Sequence, residues 1–470
     1  ALGVDAQTLR SGAVRHDPAP ESVDGPIPLS PAQYRLWLAA RLDPEAAATY
    51  NIPFTVRLVG ELDVDALQAA LNDVVGRHEP LRTTVSEREG IACAEVADAS
   101  EAHVTLDVFD ATAGDRAEIT SAREYAAAPF ELVRSLPIRA RLVRTGDDDH
   151  RLTVVIHHIA ADGWSLAPLA ADLAAAYRAR RDGSEPDWPA LPLTYSQVSA
   201  ARHAWLTDSG PDSPVEADLE YWTERLAHSP RETELPFDRP RPRTPDSAGA
   251  TLHAGISAPR HRGLRTLAAD NDATTFMVLH AAVAALLRTL STSSDIAVGT
   301  PVSGRGDAEI DGLVGMFVNT VVLRTEVNKG AGFTDLLADV RGRDLEAFAH
   351  ADLPFDRLVT DLNPDRSGNI HPFFQVSVAV EDSSAIELEF AGLSATASRV
   401  EIGQTKFDLQ FTFTEHTDAD GDPGGLGIDI DYATALFDRE TIAGLSARLV
   451  RLIDAVTARP EISIGDISLL

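Results

Sequence analysis

The side chains best suited to chemistry are two adjacent histidines followed by an aspartate and a glycine: His157, His158, Asp162 and Gly163. An imidazole accepts or donates a proton near neutral pH, and a carboxylate four residues later can orient it or balance its charge. The glycine leaves room beside both groups. The same residues also suit two histidines buried at a strand end before an ordinary Asp-Gly turn, and the motif alone does not decide between these interpretations.

The residues on either side of this motif predict a junction between a strand and a helix. Residues 152–156 are apolar and largely β-branched, which is typical of a strand. Ser165 is placed to cap a helix, because apolar residues recur at helical spacing over 166–177. Strand alternation would point His157 and His158 to opposite sides. Because Asp162 follows His158 at the H-x-x-x-D-G spacing, we assign proton handling to His158, and we assign a structural role to His157 on the opposite side.

Further motifs in the same order along the chain make this sequence similar to the condensation domains of nonribosomal peptide synthetases. The matching segments are residues 30–37 (SPAQYRLW), 77–83 (RHEPLRT), 157–163 (HHIAADG), 315–320 (GMFVNT), 352–356 (DLPFD) and 365–367 (DRS). The segment 195–197 (YSQ) departs from the family pattern, because it lacks the acidic residue usual two positions after the tyrosine. The residues after Asp162 resemble the type that accepts an L-configured donor, as in actinobacterial domains.

The resemblance implies an α/β fold of two chloramphenicol acetyltransferase-like lobes, arranged in a V with the active-site tunnel between them. Strands interleaved with helices in both halves are independently typical of an α/β protein. The expected divisions are an N-terminal linker at 1–28, an N-terminal lobe at 29–206, an inter-lobe connection at 207–250 and a C-terminal lobe at 251–470. In that fold a loop at about 299–315 forms the tunnel floor, and a segment within 373–415 crosses to the first lobe.

The resemblance also implies a reaction, in which an amino group attacks a thioester carbonyl to form an amide. Both reactants would be carried on phosphopantetheine arms of partner proteins, the upstream donor and downstream acceptor peptidyl carrier proteins, beside an adenylation domain. The domain would bind no cofactor of its own. His158 would be the acid–base or amine-positioning group, and Gly163 would leave space for the arm and offer its N–H to the oxyanion. Asp162 would contact the imidazole directly or form a buried ion pair with Arg305.

Four other residues have roles that their types and positions suggest. Asn319 suits either a polar tunnel position or a turn cap, and Arg82 suits a scaffold ion pair better than catalysis. Trp164 and Trp37 are predicted to be core aromatics. His and Cys spacing indicates no metal site.

Composition excludes several classes of partner. With 41 basic and 72 acidic residues the formal charge is −31, which argues against binding nucleic acid or an anionic membrane. Neither a long apolar run nor a signal pattern is present, and the single cysteine, Cys93, is typical of a reducing cytoplasm. The chain begins at Ala1, so we expect a piece of a longer polypeptide, monomeric within a multidomain synthetase.

Other proteins of the superfamily remain as alternatives. An epimerisation domain would need a Glu-Gly-His-Gly-Arg-like motif, which the sequence lacks. Soluble acyltransferases of the wax ester synthase type share the histidine motif and act on coenzyme A esters, but would not be expected to carry residues 77–83 or 315–320 as they stand here. A non-catalytic recruitment module of the same fold typically loses the second histidine or the glycine, and both are present.

Overall fold

The computed structural model describes residues 27–110, 122–208, 210, 213–244, 246–306, 308–362, 370–382, 390–418 and 420–469. Most of the predicted linker 1–28 and the motif at 365–367 therefore lie outside the described residues. The first described residues, Ile27–Pro28, form a short strand that pairs with Cys93 and Ala94.

The first half of the chain supplies four strands of a five-stranded sheet and all of a three-stranded sheet, with helices packed on them. A short helical segment at 122–127 lies between the fifth and sixth strands. The strands are β1 Ile27–Pro28, β2 Asn51–Val59, β3 Thr83–Arg88, β4 Ile91–Val96, β5 Leu106–Asp110, β6 Ile138–Arg144 and β7 Asp149–His157. The helices are α1 Pro31–Leu42, α2 Pro44–Ala47, α3 Val64–Arg77, α4 Leu166–Arg181, α5 Tyr195–Thr207 and α6 Pro214–Leu226.

The second half builds a six-stranded sheet with the order β10-β9-β11-β13-β14-β8. Its strands are β8 Gly249–Ser257, β9 Asp295–Val302, β10 Asn319–Glu326, β11 Val376–Asp382, β13 Leu409–Thr417 and β14 Pro423–Ala433. Its helices are α7 Ala258–Asp270, α8 Thr275–Leu290, α9 Phe333–Ala349, α10 Phe355–Asp361 and α11 Arg439–Ala458. Helix α8 is buried along most of its length, as its near-continuous apolar sequence predicts.

One strand from the second half of the chain belongs to the first sheet. Strand β12, Ser394–Arg399, pairs antiparallel with β2, and the five-stranded order is β12-β2-β7-β6-β5. Residues 299–302 of the expected floor loop belong to β9, so that loop itself starts at Ser303. From this loop Val314 and Met316 pack into the core of the first sheet. The two halves are thus connected through β12 and through the floor loop, among other contacts.

Local sequence explains where the helices that bear on the site begin. Ser30 and Gln33 form a capping box at the start of α1, with Pro31 at its first position. Asp63 caps α3, whose end at Arg77 leaves the buried His78 to hydrogen-bond Asp172 at 2.9 Å. His78 is therefore a packed core histidine.

No single helix of the described residues combines the length and the apolar composition needed to span a membrane. Helices α7 and α8 meet those criteria only as a pair, and their axes are bent by 102°.

Candidate active site

The histidine motif sits at the end of a central strand of the first sheet. Strand β7 ends at His157, and the backbone N–H of His158 donates to the carbonyl of Tyr50 on the neighbouring chain segment at 2.8 Å. Gln33 from α1 donates its side-chain amide to the carbonyl of Ile159 at 3.0 Å. The turn that carries His158 is therefore held from two sides, by α1 and by the residue preceding β2.

His158 is partly exposed, and its ring lies against a methionine of the floor loop. Its Nδ1 is 3.2 Å from the sulfur of Met316. A thioether sulfur only accepts hydrogen bonds, so this contact favours the tautomer with hydrogen on Nδ1 and a free lone pair on Nε2. Burial lowers the pKa of His158 well below its usual range, and the charge of Lys406 lowers it further. The imidazole is therefore neutral at pH 7 and able to accept a proton.

His157 occupies the opposite, buried face, as strand alternation predicts. It is 2% exposed, its Nδ1 accepts from the N–H of Ile159 at 3.1 Å, and its ring meets that of Phe130 edge-on. Burial, with the charges of Lys406 and Arg139, lowers its pKa to about 4. These contacts make His157 a neutral packing residue.

Replacing His157 by alanine should mainly affect folding. The substitution leaves a cavity beside Phe130 and removes the acceptor of the Ile159 N–H, so we expect a stability loss of about 2 kcal/mol or more. The measurement is the melting temperature of the variant beside its activity per folded molecule. A variant with unchanged melting temperature but no activity would place His157 in the chemistry instead.

Asp162 is fully buried and accepts six hydrogen bonds. Ser165 donates to it from its backbone N–H at 2.9 Å and its hydroxyl at 2.8 Å. Arg305 binds it through both terminal nitrogens at 2.9 and 3.0 Å. The backbone N–H groups of Phe317 and Val318 complete the set at 3.0 and 3.2 Å. Such saturation leaves the carboxylate no free lone pair for a substrate.

The ion pair expected between Asp162 and Arg305 is therefore present, and both side chains are at most 3% exposed. Among the described residues Asp162 makes no hydrogen bond to His158, so the direct, triad-like contact that the sequence left open is wrong. Asp162 acts as a positioning residue that binds the turn of the histidine motif to the floor loop.

The Phe317 ring and the Ser165 hydroxyl reinforce the connection between the histidine motif and the floor loop. The guanidinium of Arg305 lies 4.5 Å from the centre of the Phe317 ring and also donates to the Leu313 carbonyl. The Ser165 hydroxyl accepts from the Gly315 N–H at 3.1 Å. Ser165 was predicted to cap the helix after it, but its side chain makes no such bond and is used in this cluster. Asp162 instead caps the short turn Gly163–Ser165.

The floor loop also needs a glycine at 315. A β-carbon there would lie 2.3 Å from the ring of Tyr195, whose hydroxyl donates to the carbonyl of Met316 at 3.0 Å. The segment 195–197, which departs from the family pattern in sequence, thus supports the residue that contacts His158.

Gly163 opens the site to substrate. A β-carbon at this position would have no atom within 4 Å, and among the described residues its N–H has no hydrogen-bond partner. The next residue corrects an expectation: Trp164 is 44% exposed and is not a core aromatic. The turn that Asp162 caps directs this indole outward, whereas Trp37 is buried as predicted.

Asn319 and Arg82 both serve the scaffold. Asn319 donates to the carbonyls of Ala351 and Leu353 at 2.8 Å and accepts from the first N–H of α10, so it caps that helix from a strand. Arg82 donates to the carbonyl of Ala97. Within the described part of the chain Arg82 has no carboxylate within ion-pair distance, so the expected ion pair is wrong, because a backbone oxygen takes its place.

Three residues near His158 received no role from the sequence: Arg35, Tyr50 and Lys406. Arg35 pairs with Asp356 at 2.8 Å, and its guanidinium lies 6.0 Å from the centre of the Tyr50 ring. The Nζ atom of Lys406 lies 5.1 Å from the same centre. Arg35 and Lys406 come close to Tyr50 through tertiary packing, which the local sequence does not show. The rarity of lysine in this chain was a signal that could have singled out Lys406.

A cavity of about 570 Å³ lies on another side of the floor loop, between α3 and the segment 185–195. Its wall includes the ion-paired Arg77 and Arg180, the ring of Trp188, and Val314. None of residues 157–163 lines it. We therefore place the candidate chemistry at His158 and not in this cavity.

Comparison with known proteins agrees with the geometry. The family model described as "Condensation domain" matches residues 23–470. The chain is similar to the isonitrile lipopeptide synthase of Mycobacterium tuberculosis, with 41% identity over 446 residues, and to the dimodular nonribosomal peptide synthase of Bacillus subtilis, with 40% over 449. Each match covers 94% of this chain but only 18% and 19% of the relative.

Two kinds of solved structure are similar to the whole chain. The X-domain from teicoplanin biosynthesis has a TM-score of 0.88 at 30% identity, covering 97% of this chain and 100% of its own. The first condensation domain of the calcium-dependent antibiotic synthetase, in complex with substrate analogue 2a, has a TM-score of 0.78 at 25% identity, covering 95% and 100%. The two sheet-based lobes and the ordered motifs have one common explanation: the chain belongs to the condensation-domain family of nonribosomal peptide synthetases.

Proposed function

We propose that this domain forms a peptide bond between a carrier-bound donor thioester and the amino group of a carrier-bound acceptor. The observation that carries the proposal is the neutral, partly exposed His158 beside the open Gly163, on a turn fixed by the buried pair of Asp162 and Arg305.

The chemistry needs little beyond orientation and a proton acceptor. The acceptor amine has a pKa of about 8, so a minority is neutral at pH 7, and the thioester is already activated. The amine nitrogen bonds to the carbonyl carbon, and Nε2 of His158 orients the amine and takes its proton. The N–H of Gly163 is available to the oxyanion. The C–S bond then breaks, and the leaving thiolate receives the proton.

The partners follow from this reaction. Donor and acceptor carrier proteins would deliver their phosphopantetheine arms from the two sides of the floor loop, and an adenylation domain of the same synthetase would load the acceptor. The residues after Asp162 favour a donor of L configuration. The domain's own residues supply only binding, orientation and proton handling.

A second candidate is recruitment of a partner enzyme, since the X-domain structures include a complex of the X-domain with OxyB from teicoplanin biosynthesis. This candidate rests on the similarity of fold. It predicts a stable complex with a tailoring enzyme and no acyl transfer. The intact His158 and Gly163 favour catalysis over recruitment.

The substrate class is tested by competition. We expect the domain to join carrier-bound donor and acceptor much faster than free coenzyme A esters and free amines or alcohols at equal concentration. Mass spectrometry of the products from both substrate types, in one reaction, measures the preference. Equal rates would favour a soluble acyltransferase, and they would overturn the requirement for carriers.

Salt should leave this reaction largely unaffected. The domain has a formal charge of −31, and we expect the carrier proteins to be acidic too. Long-range electrostatics therefore do not attract the two proteins, and docking must rest on local contacts. Moderate salt screens repulsion over about 8–10 Å, and we expect an unchanged or slightly higher rate at sub-saturating carrier concentration. The check is the initial rate across a salt series. A steep fall with rising salt would reveal attraction through a basic surface.

A further inference from the structure

The chain passes from the first sheet to the second through residues 400–408, which we call the crossover segment. This segment follows β12, which pairs with β2 of the first sheet, and it leads into β13 of the second sheet. The N–H of Gly249 donates to the carbonyl of Gly403, and the N–H of Thr405 donates to the carbonyl of Ser247, each at 2.9 Å. These two backbone hydrogen bonds hold the crossover segment against the start of β8.

His253 of β8 contacts the crossover segment through its ring. Its Nε2 lies 2.7 Å from a carboxylate oxygen of Glu401, and its Nδ1 lies 2.8 Å from a carboxylate oxygen of Asp429 on β14. An ionised carboxylate only accepts hydrogen bonds, so both ring nitrogens must carry hydrogen for the two contacts to form. The geometry therefore requires the imidazolium form of His253, which bridges the crossover segment and the second sheet.

The charges near this bridge favour the imidazolium. Four carboxylates and two cations make up the charged groups around it among the described residues: Glu381 of β11, Arg399 of β12, Glu401 and Lys406 of the crossover segment, and Asp429 and Asp431 of β14. Arg399 pairs with Glu381 at 3.2 Å, which compensates its charge. The hydrogen bonds to Asp429 and to Glu401 raise the pKa of His253 above its usual value, so the ring keeps its second proton to a higher pH than an isolated histidine would.

Loss of that proton would break one of the two contacts. A neutral imidazole has a single N–H, so it can donate to one carboxylate, and its lone pair then faces the other. Asp429 lies directly opposite His253 in the register of β8 and β14, which keeps these two side chains together. Glu401 lies on a stretch without regular secondary structure. We therefore expect the contact with Glu401 to be the one that is lost.

The crossover segment also contacts the residues that hold the histidine motif. The hydroxyl of Thr49 donates to the side-chain carbonyl of Gln404 at 2.9 Å. The next residue, Tyr50, accepts the backbone N–H of His158 at 2.8 Å through its carbonyl. One hydrogen bond and one peptide unit thus connect the crossover segment with the turn that carries His158.

We propose that His253 is a pH-sensitive latch, which fastens the crossover segment to the second sheet while it is protonated and releases Glu401 when it loses a proton. Because the folded-state pKa lies above that of an unfolded histidine, the stabilisation is fully present below the unfolded value and is lost as the pH rises through the folded one. The side chains of His253 and Glu401 are 61% and 51% exposed, so solvent screens the contact and the expected effect is local. The latch does not depend on the reaction proposed for His158.

The test uses Glu401→Ala, His253→Gln and, as a control, His203→Gln, which changes an exposed histidine of α5. NMR titration gives the pKa of His253, and hydrogen exchange gives the protection of the amides of Gly249 and Thr405, corrected for the intrinsic exchange rate at each pH. In the unaltered domain we expect this protection to fall about two- to fivefold between about pH 6 and pH 9. E401A and H253Q should have the lower protection at every pH, E401A should lower the pKa of His253, and H203Q should behave like the unaltered domain.

Three results would contradict the latch. One is a folded E401A protein that keeps the pH-dependent protection of the unaltered domain. Another is a His253 that titrates at the same pH with and without Glu401. The third concerns the connection to the histidine motif: protection of the His158 amide that is the same in E401A and the unaltered domain at pH 6 would overturn that connection. If exchange and titration behave as expected but the unaltered domain forms no amide, the latch stands and the proposed function fails.

Discussion

His158→Ala should reduce amide formation by about 10²–10⁴-fold while leaving the domain folded. The imidazole is partly exposed and contributes little to the core, so its removal leaves α1, β7 and the Asp162 cluster in place. The loss arises because the variant lacks the Nε2 atom that orients the amine and accepts its proton. Single-turnover rates with loaded carriers measure the effect, and the melting temperature establishes folding.

The adjacent histidine provides the matched control for this experiment. His157→Ala changes the same type of side chain one residue away, on the buried face. We expect the two variants to separate, with activity lost in one and stability lost in the other. Wild-type single-turnover rates in a stable His158→Ala protein would remove His158 from the reaction.

Breaking the pair of Asp162 and Arg305 from either side should destabilise the domain by about 3–5 kcal/mol. Asp162→Asn leaves a buried guanidinium with a neutral partner, and Arg305→Ala leaves a buried carboxylate with only neutral donors. Both also release the floor loop that brings Met316 to His158. Denaturant unfolding of the two single variants and the double variant gives the free energies.

The double variant decides whether the two residues act together. Because removing both charges leaves neither uncompensated, we expect its destabilisation to be smaller than the sum of the single effects. Strict additivity would mean that the pair is not formed in solution. The exposed pair of Arg57 on β2 and Asp149 on β7 is the control, where the same cycle should give a much smaller coupling because solvent screens the two charges.

Local sequence rules predicted several elements to the residue. Apolar residues at helical spacing predict helices at about 64–77, 275–290 and 439–458, and the observed helices have these bounds. The apolar run at 317–323 predicts a strand from Phe317, but the observed strand begins at Asn319. The N–H groups of Phe317 and Val318 donate to the Asp162 carboxylate. They are therefore not available for strand pairing, and the strand starts after them.

Side-chain roles were harder to predict where a distant segment decides them. Trp164 was assigned to the core by residue type, but the turn that Asp162 caps directs it outward. Ser165 was assigned to a helix cap, but the floor loop, 150 residues later, brings a backbone amide to its hydroxyl. Lys406 meets Tyr50 only because the chain crosses between sheets after β12. Such contacts have no periodicity that a sequence could show.

The central claim is that this site transfers the donor acyl group to the acceptor amine. Intact-mass analysis of the acceptor carrier, after a single turnover with a loaded donor carrier, tests it most directly. We predict that the acceptor gains the mass of the donor acyl group while the donor carrier returns to its free thiol, and that His158→Ala prevents this gain. An acceptor carrier of unchanged mass in the presence of folded, unaltered domain, with donors of either configuration, would contradict the account.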